Sequence, residues 1–341
     1  MGNIGSPDSR KVCEMTSDQL LAVVVIGKNE AKNLPRSFQS IRTIPMECDL
    51  VFVDAASKDE SCEVASRHGA TVIRLCESRY LNAATGRSIG LEFVDAHWVL
   101  FLDGDMALQP PFAKRIPIMI EETPGRTTAG FVGSYTNVYP DGTSRENVLR
   151  QNPDNLRAST FGGAVLLRRD SVLLAGNWDH HISSYEELDL HMRLRVLGLE
   201  VNYVPEAMVV HYTSNVRPWQ VLFRMFFPIG RSRQRAGGIG QVMRAWHRRR
   251  ALLQLAWLYP EPFLYLSVVL LGIILGGMPF EGARWSLILV PAALLVMALR
   301  QRLPLAVVYL SFPVRILLGW FQYPREWVPR YSVYSRSDNS G

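Results

Sequence analysis

The first hundred residues alternate short apolar runs with polar, helix-like stretches. Leu21 to Ile26 is a β-branched apolar run that ends on Gly27-Lys28-Asn29-Glu30. Leu50 to Val53 repeats it and stops on Asp54. Thr71 to Leu75 and Trp98 to Leu102 are the third and fourth, the last ending on Asp103-Gly104-Asp105. The intervening stretches, to Ile41, to His68 and from Leu81 to Val94, have helical character, and Ser57 and Asp59 are candidate caps for the second. Strands alternating with helices at this spacing predict βαβ units and a mostly parallel sheet flanked by helices. Polar groups close each strand, so they converge on one sheet edge, where open α/β sheets bind ligands.

Beyond Pro110 the pattern is less regular. Strands are expected at Ala129 to Tyr135, Ala164 to Leu167 and Ala207 to Val210, with a polar, loop-like stretch from Pro140 to Ser159. Ser184-Tyr185-Glu186-Glu187-Leu188-Asp189-Leu190 opens a helix with Leu190, Leu194 and Leu197 on one face and Gly198 as its stop. Acids in a first turn also suit the helix dipole, so structural and catalytic readings compete there.

From residue 252 onward the pattern changes to long apolar runs. Three stretches stand out, at about 252–277, 285–299 and 303–321, the third interrupted by Pro304, Pro313 and Arg315. Only the first comfortably reaches the ~20 residues that span a bilayer. The division expected is a polar tail (1–20), a catalytic domain (21–212), a basic amphipathic interfacial segment (213–251), a membrane segment of two or three helices (252–323) and a polar tail (324–341).

Composition sharpens this picture in three ways. The 341 residues are 48% hydrophobic and 20% charged, which excludes a disordered polymer. The net charge of +6 is concentrated: nine arginines and no acid lie between Ala207 and Pro260, interleaved with Trp219, Phe223, Phe226, Phe227 and Trp246. That stripe runs into the apolar segment, so anionic lipid rather than nucleic acid is the expected partner, and Arg248-Arg249-Arg250 points to a cytoplasmic catalytic domain on an inner membrane. Met1 to Gln19 has no apolar signal-like core, and the four cysteines lack a paired spacing, so they carry no functional signal.

Asp103-Gly104-Asp105 is either a turn or half of a metal site. Neither the dinucleotide glycine fingerprint nor the P-loop is present, and a cation on Asp103 and Asp105 would supply the missing grip on a diphosphate. Taken together, Asn29-Glu30, Asp54-Ala-Ala-Ser57-Lys-Asp59, Gly86-Arg87 before Ile89-Gly90, Asp103-Gly-Asp105, Gly162-Gly163 before Arg168-Arg169, Glu186-Glu187-Leu-Asp189-Leu190 and Val-Val-His211 occur in the order of the family 2 glycosyltransferases. Residues 21 to 212 therefore resemble that family, in its membrane-attached bacterial form, with the A-type nucleotide-sugar-binding fold.

The resemblance implies a donor site of Glu30, Asp54, Ser57, Arg87 and Asp103, with Mg²⁺ or Mn²⁺ on Asp105 and His211. It also implies a catalytic base at Glu187, where relatives usually carry Asp, with Asp189 as the fallback, and inversion at the anomeric carbon. The Gln-x-x-Arg-Trp motif of processive synthases is absent between 212 and 250, so transfer of a single sugar is expected. The acceptor would be a lipid-linked or membrane-proximal glycan of the cell envelope, its phosphate gripped by Arg231, Arg233 and Arg235. A polyprenyl-phosphate glycosyltransferase, a nucleotidyltransferase and a non-enzymatic membrane scaffold are the alternatives.

Overall fold

The structure, a computed structural model, describes residues 19–123, 127–147, 151–152, 155–158, 161–213, 237–260, 262–264, 266–267, 270, 274, 312–323 and 326–335. The chain opens with β1 (Leu21–Gly27), α1 (Leu34–Ile41), β2 (Asp49–Asp54), α2 (Ser61–Arg67), β3 (Thr71–Leu75), α3 (Ala83–Glu92) and β4 (Trp98–Asp103). β1 lies at the centre with β2 and β4 parallel on either side, and β3 is parallel beyond β2. Leu21 to Val25 are fully buried, which is why the run is continuously apolar rather than alternating.

Helix α3 lies close against β1 because it carries small residues there. A Cβ on Gly90 would come within 2.3 Å of Val24 Cγ1, and one on Gly86 within 3.0 Å of Ile26 Cγ2. This close approach buries Arg87, between the two glycines, beneath the sheet edge.

The second half of the sheet is mixed. It comprises β5 (Met106–Leu108), β6 (Thr128–Val138), β7 (Ser144–Asn147), β8 (Gln151–Asn152), β9 (Asn155–Ala158), β10 (Val165–Arg168) and β11 (Glu200–Tyr212). The helices between them are α4 (Pro110–Glu121), α5 (Arg169–Leu174) and α6 (Glu186–Val196). β10 is antiparallel to β4 and β6, β11 runs parallel to β6, and β5 pairs antiparallel with β11. Within the 140–159 stretch, expected as loop, residues 140–143 are a turn, while 144–147, 151–152 and 155–158 are strands β7, β8 and β9; β7 forms a hairpin with β6. Leu197 also departs from expectation: it is the exposed C-cap of α6, while Leu190 and Leu194 are fully buried.

The polar tail expected after residue 323 is part of the sheet. β12 (Tyr331–Ser335) pairs antiparallel with β3, and the Cys76 amide donates to the Arg330 carbonyl at 2.8 Å. An edge strand that would otherwise expose unpaired backbone is thereby covered.

Three further helices, α7 (Gly238–Arg248), α8 (Leu252–Leu258) and α9 (Phe312–Gln322), form a second core with α6. Ile239, Val242, Met243 and Trp246 of α7 pack with Leu188 and Met192 of α6, Leu255 of α8 and Ile316 of α9. The described part of the basic segment thus turns its apolar face onto protein, a correction to the lipid-facing expectation for Trp246. Arg315, read as a break in the third apolar stretch, is buried and donates to the Tyr185 hydroxyl at 3.2 Å. No helix among the described residues is long and apolar enough to cross a membrane; most of the three apolar stretches lies outside them.

Candidate active site

A cleft of about 280 Å³ opens at the carboxyl ends of β1, β2 and β4. Ile26, Gly27, Lys28 and Glu30 line it from β1, Val53 and Ala55 from β2, and Asp103, Gly104 and Asp105 from β4. Ser78, Asn82 and Ser183 complete its other wall. The strands are sewn together at this edge: Ala55 N donates to the Gly27 carbonyl at 2.8 Å, and Gly104 N to the Ile26 carbonyl at 2.7 Å.

Glu30 sits within the field of Asp103 and Asp105. Burial and these neighbours raise its ionisation above the ordinary carboxylate range, against the Asn33 amide that donates to it at 2.8 Å. Asp54 and Ser57, expected to touch the donor, are instead buried beneath the loop that follows β2. Asp54 Oδ2 accepts from Ser57 N at 2.9 Å, and Ser57 Oγ accepts from Asn29 N at 2.8 Å. Both shape the loop that presents Ala55 to the cleft, which corrects their expected role as direct contacts.

Arg87 is corrected in the same way. It is 1% exposed and lies at the junction of three carboxylates: Nη2 is 2.8 Å from Asp103 Oδ1, and Nη1 is 3.2 Å from Glu186 and 3.7 Å from Glu187. The Trp178 ring, 5.0 Å from the guanidinium carbon, packs against it. A buried cation among carboxylates is held by charge on every side, so Arg87 organises Asp103 and the acids of α6 from beneath the cleft.

Glu187 stands in the first turn of α6, which Tyr185 enters with φ of +67°. Its side chain keeps 23% exposure. Burial and the neighbouring Glu186, opposed by Arg87, raise its ionisation to about 8. A carboxylate poised near neutral pH and open to solvent is suited to accept a proton. Asp189 is not: it is 0% exposed, and its oxygens accept from Arg193, from the Trp246 indole at 2.8 Å and from Arg249 at 2.9 Å. Arg249 also pairs with Asp179 at 2.6 Å. Asp189 therefore ties α6 to α7, which corrects its reading as a fallback base, and Arg249 pairs with protein carboxylates in place of lipid.

Asp105 and His211 meet across the strand pair. His211 Nε2 lies 3.1 Å from Asp105 Oδ2, and the Asp105 carbonyl accepts from Tyr212 N at 2.9 Å. The hydrogen bond to Asp105 raises the His211 ionisation, against burial. No group of three His, Cys, Asp or Glu among the described residues converges as a metal cage. Asp105 lines the cleft and His211 stands beside it, and two such protein donors still fit Mg²⁺ or Mn²⁺, hard ions that complete their shell with water and substrate phosphate.

Two site residues were not anticipated from sequence. Tyr135 and Asn137 share one face of β6; the Tyr135 phenol titrates high through burial, Tyr139 and Glu187, and the Asn137 amide meets His211. Tyr135 closes the strand expected from sequence, and Asn137 lies two residues beyond that expected end. Arg231, Arg233 and Arg235 lie outside the described residues.

Comparison with known proteins adds three findings. The profile of the family described as Glycosyl transferase family 2 matches residues 22–172. A 4,4'-diaponeurosporenoate glycosyltransferase of Staphylococcus haemolyticus is 27% identical over 105 residues, a match covering 30% of this chain and only 28% of that relative. Among solved structures, a mannosyltransferase from Pyrobaculum calidifontis, in complex with GDP-Man and Mn²⁺, superposes with a TM-score of 0.52 at 14% identity, over 90% of this chain and 88% of that one. Staphylococcus aureus TarS 1-349 gives 0.49 at 14% identity, over 88% and 90%.

Proposed function

The chain belongs, through residues 22–172, to glycosyl transferase family 2, and from that premise we propose a metal-dependent, inverting enzyme that moves one sugar from a nucleotide-sugar to a glycan acceptor, lipid-linked or membrane-proximal, in envelope polysaccharide synthesis. The observation that carries the reading is the single ion network in which Arg87 holds Asp103 of the cleft at 2.8 Å and Glu187 at 3.7 Å. It sets a proton acceptor beside a diphosphate-sized cleft.

In this mechanism the cleft edge of β1, β2 and β4 takes the nucleoside, with Glu30 and Asp103 on its polar side. Asp105 and His211 would hold the cation, which when bound would offset the negative charge of the diphosphate. The acceptor hydroxyl gives its proton to Glu187 as its oxygen bonds the anomeric carbon. The anomeric carbon–phosphate oxygen bond breaks, and the nucleoside diphosphate leaves with the electron pair. A base with raised ionisation favours an acceptor hydroxyl over polyprenyl phosphate, which is already ionised and needs no base.

The mannosyltransferase neighbour's GDP-Man and Mn²⁺ support the same donor class and metal. The catalytic domain is placed by this reading at the cytoplasmic face of the inner membrane, with the arginine-rich segment and the apolar stretches as its attachment. The test is a thermal-shift screen of nucleotide-sugars with and without Mn²⁺. A hit that needs Mn²⁺ and is lost in Asp105→Ala supports the proposal; stabilisation by no nucleotide-sugar under either condition overturns it.

A further inference from the structure

Asn137 contributes no donor to the proposed cation, yet it is the group against which His211 is set. In the parallel β6–β11 ladder the Cα partner of His211 is Asn137, and on the other side β11 pairs His211 with Met106, next to Asp105. The three side chains then form a line: Asn137 Oδ1 lies 2.8 Å from His211 Nδ1, and His211 Nε2 lies 3.1 Å from Asp105 Oδ2. The backbone bond from Tyr212 N to the Asp105 carbonyl fixes the far end. Each of the three residues is half-buried, so the line runs along the wall of the site and not through bulk solvent.

We propose that Asn137 is a positioning residue for the cation site: its amide oxygen accepts the His211 Nδ1–H, which fixes the ring plane and leaves Nε2, on the side where Asp105 offers its carboxylate, as the nitrogen a cation would take. An amide oxygen has no proton to give, so the partner nitrogen must carry one. Nε2 donates its own proton to Asp105 in the structure, and that proton is the one a cation between the two groups would replace, with Nδ1–H still held by Asn137. Partners of this kind orient metal-binding histidines, and their loss costs about 10- to 100-fold in metal affinity. The register pairing supplies the precision, because β6 and β11 hold both Cα atoms and only the side-chain torsions remain to be set.

This inference rests on the proposed cation site, and one experiment separates the two. Mn²⁺ is titrated into the full chain, alone and with UDP or GDP, and free Mn²⁺ is read by its paramagnetic resonance signal. Wild-type protein binds Mn²⁺, Asn137→Leu binds it about 10- to 100-fold more weakly, and Asn137→Asp, which keeps an acceptor at the same place, binds it at least as well as wild type. Melting in EDTA separates this loss from a folding defect in the leucine variant. If that variant does not fold, the aspartate variant decides: loss of binding in folded Asn137→Asp overturns the inference, as does wild-type affinity in Asn137→Leu. Absence of binding by the wild-type protein under all three conditions instead overturns the cation site, and the inference with it.

Discussion

The Arg87 guanidinium, buried under the sheet edge, lies 3.7 Å from the Glu187 carboxylate and lowers the ionisation that burial and Glu186 push up. The sign of the pH dependence follows. Glu187 acts as a base only when ionised, so with its ionisation at about 8 the value of kcat/KM rises with pH below that point and levels above it. Removing the cation favours the protonated acid, and Arg87→Gln moves the ascending limb to higher pH. Steady-state pH profiles of the two proteins check this; an ascending limb near 4.5 in the wild type contradicts it.

Gly163 is predicted to be irreplaceable by alanine. A Cβ there would stand 2.3 Å from Asp103 Oδ2 and 2.9 Å from its Cγ, displacing the carboxylate that Arg87 holds. Overpacking of this kind costs about 1–3 kcal/mol. Chemical denaturation should register that loss, and donor binding by Gly163→Ala should weaken by at least about tenfold, the affinity equivalent of 1.4 kcal/mol.

Asp189 is predicted to matter for stability. Its carboxylate satisfies Arg193, Arg249 and the Trp246 indole in a fully buried setting. Asp189→Ala leaves buried donors and charge uncompensated, at about 3–5 kcal/mol, measurable as a fall in the urea midpoint. Trp246→Phe removes one indole donor and retains most packing, so it should cost less.

Deleting residues 330–341 should destabilise the catalytic sheet. β12 covers β3, and the Arg330 carbonyl accepts from Cys76 N. Its loss bares an edge strand, and the expected readouts are a lower melting temperature and concentration-dependent aggregation. A truncated protein with unchanged melting and solubility would show the pairing to be dispensable.

The parallel half of the fold was legible in the sequence because its central strands are buried on both faces and close on polar groups: Leu21 to Ile26 before Lys28, Trp98 to Leu102 before Asp103. β12 was not, since Tyr331 to Ser335 owes its strand to the vacant edge of β3 and has mostly exposed side chains. β7 was hidden for a similar reason, as Ser144–Asn147 is polar and joins β6 through its backbone ladder and one side-chain bond, from the Ser134 hydroxyl to Glu146 at 3.2 Å. In the site, residue type marked the acids, but burial sorted their roles. Asp54 and Asp103 each close an apolar strand, and Glu187 and Asp189 share one helix-opening motif; only the three-dimensional packing seals Asp54 and Asp189 inside while leaving Asp103 on the cleft wall and Glu187 partly exposed. Asn137 carried no signal of its own, because its importance comes from a register pairing with a residue 74 positions away.

The central claim is that Glu187 takes the proton from an acceptor hydroxyl while the cleft holds the donor. The most direct measurement is donor affinity and single-turnover transfer in Glu187→Gln, with the nucleotide-sugar found by the thermal-shift screen and Mn²⁺ present. The prediction is donor affinity within about twofold of wild type, 0.4 kcal/mol or less, and transfer slowed about 10²- to 10⁴-fold. Transfer at the wild-type rate by that variant would contradict it.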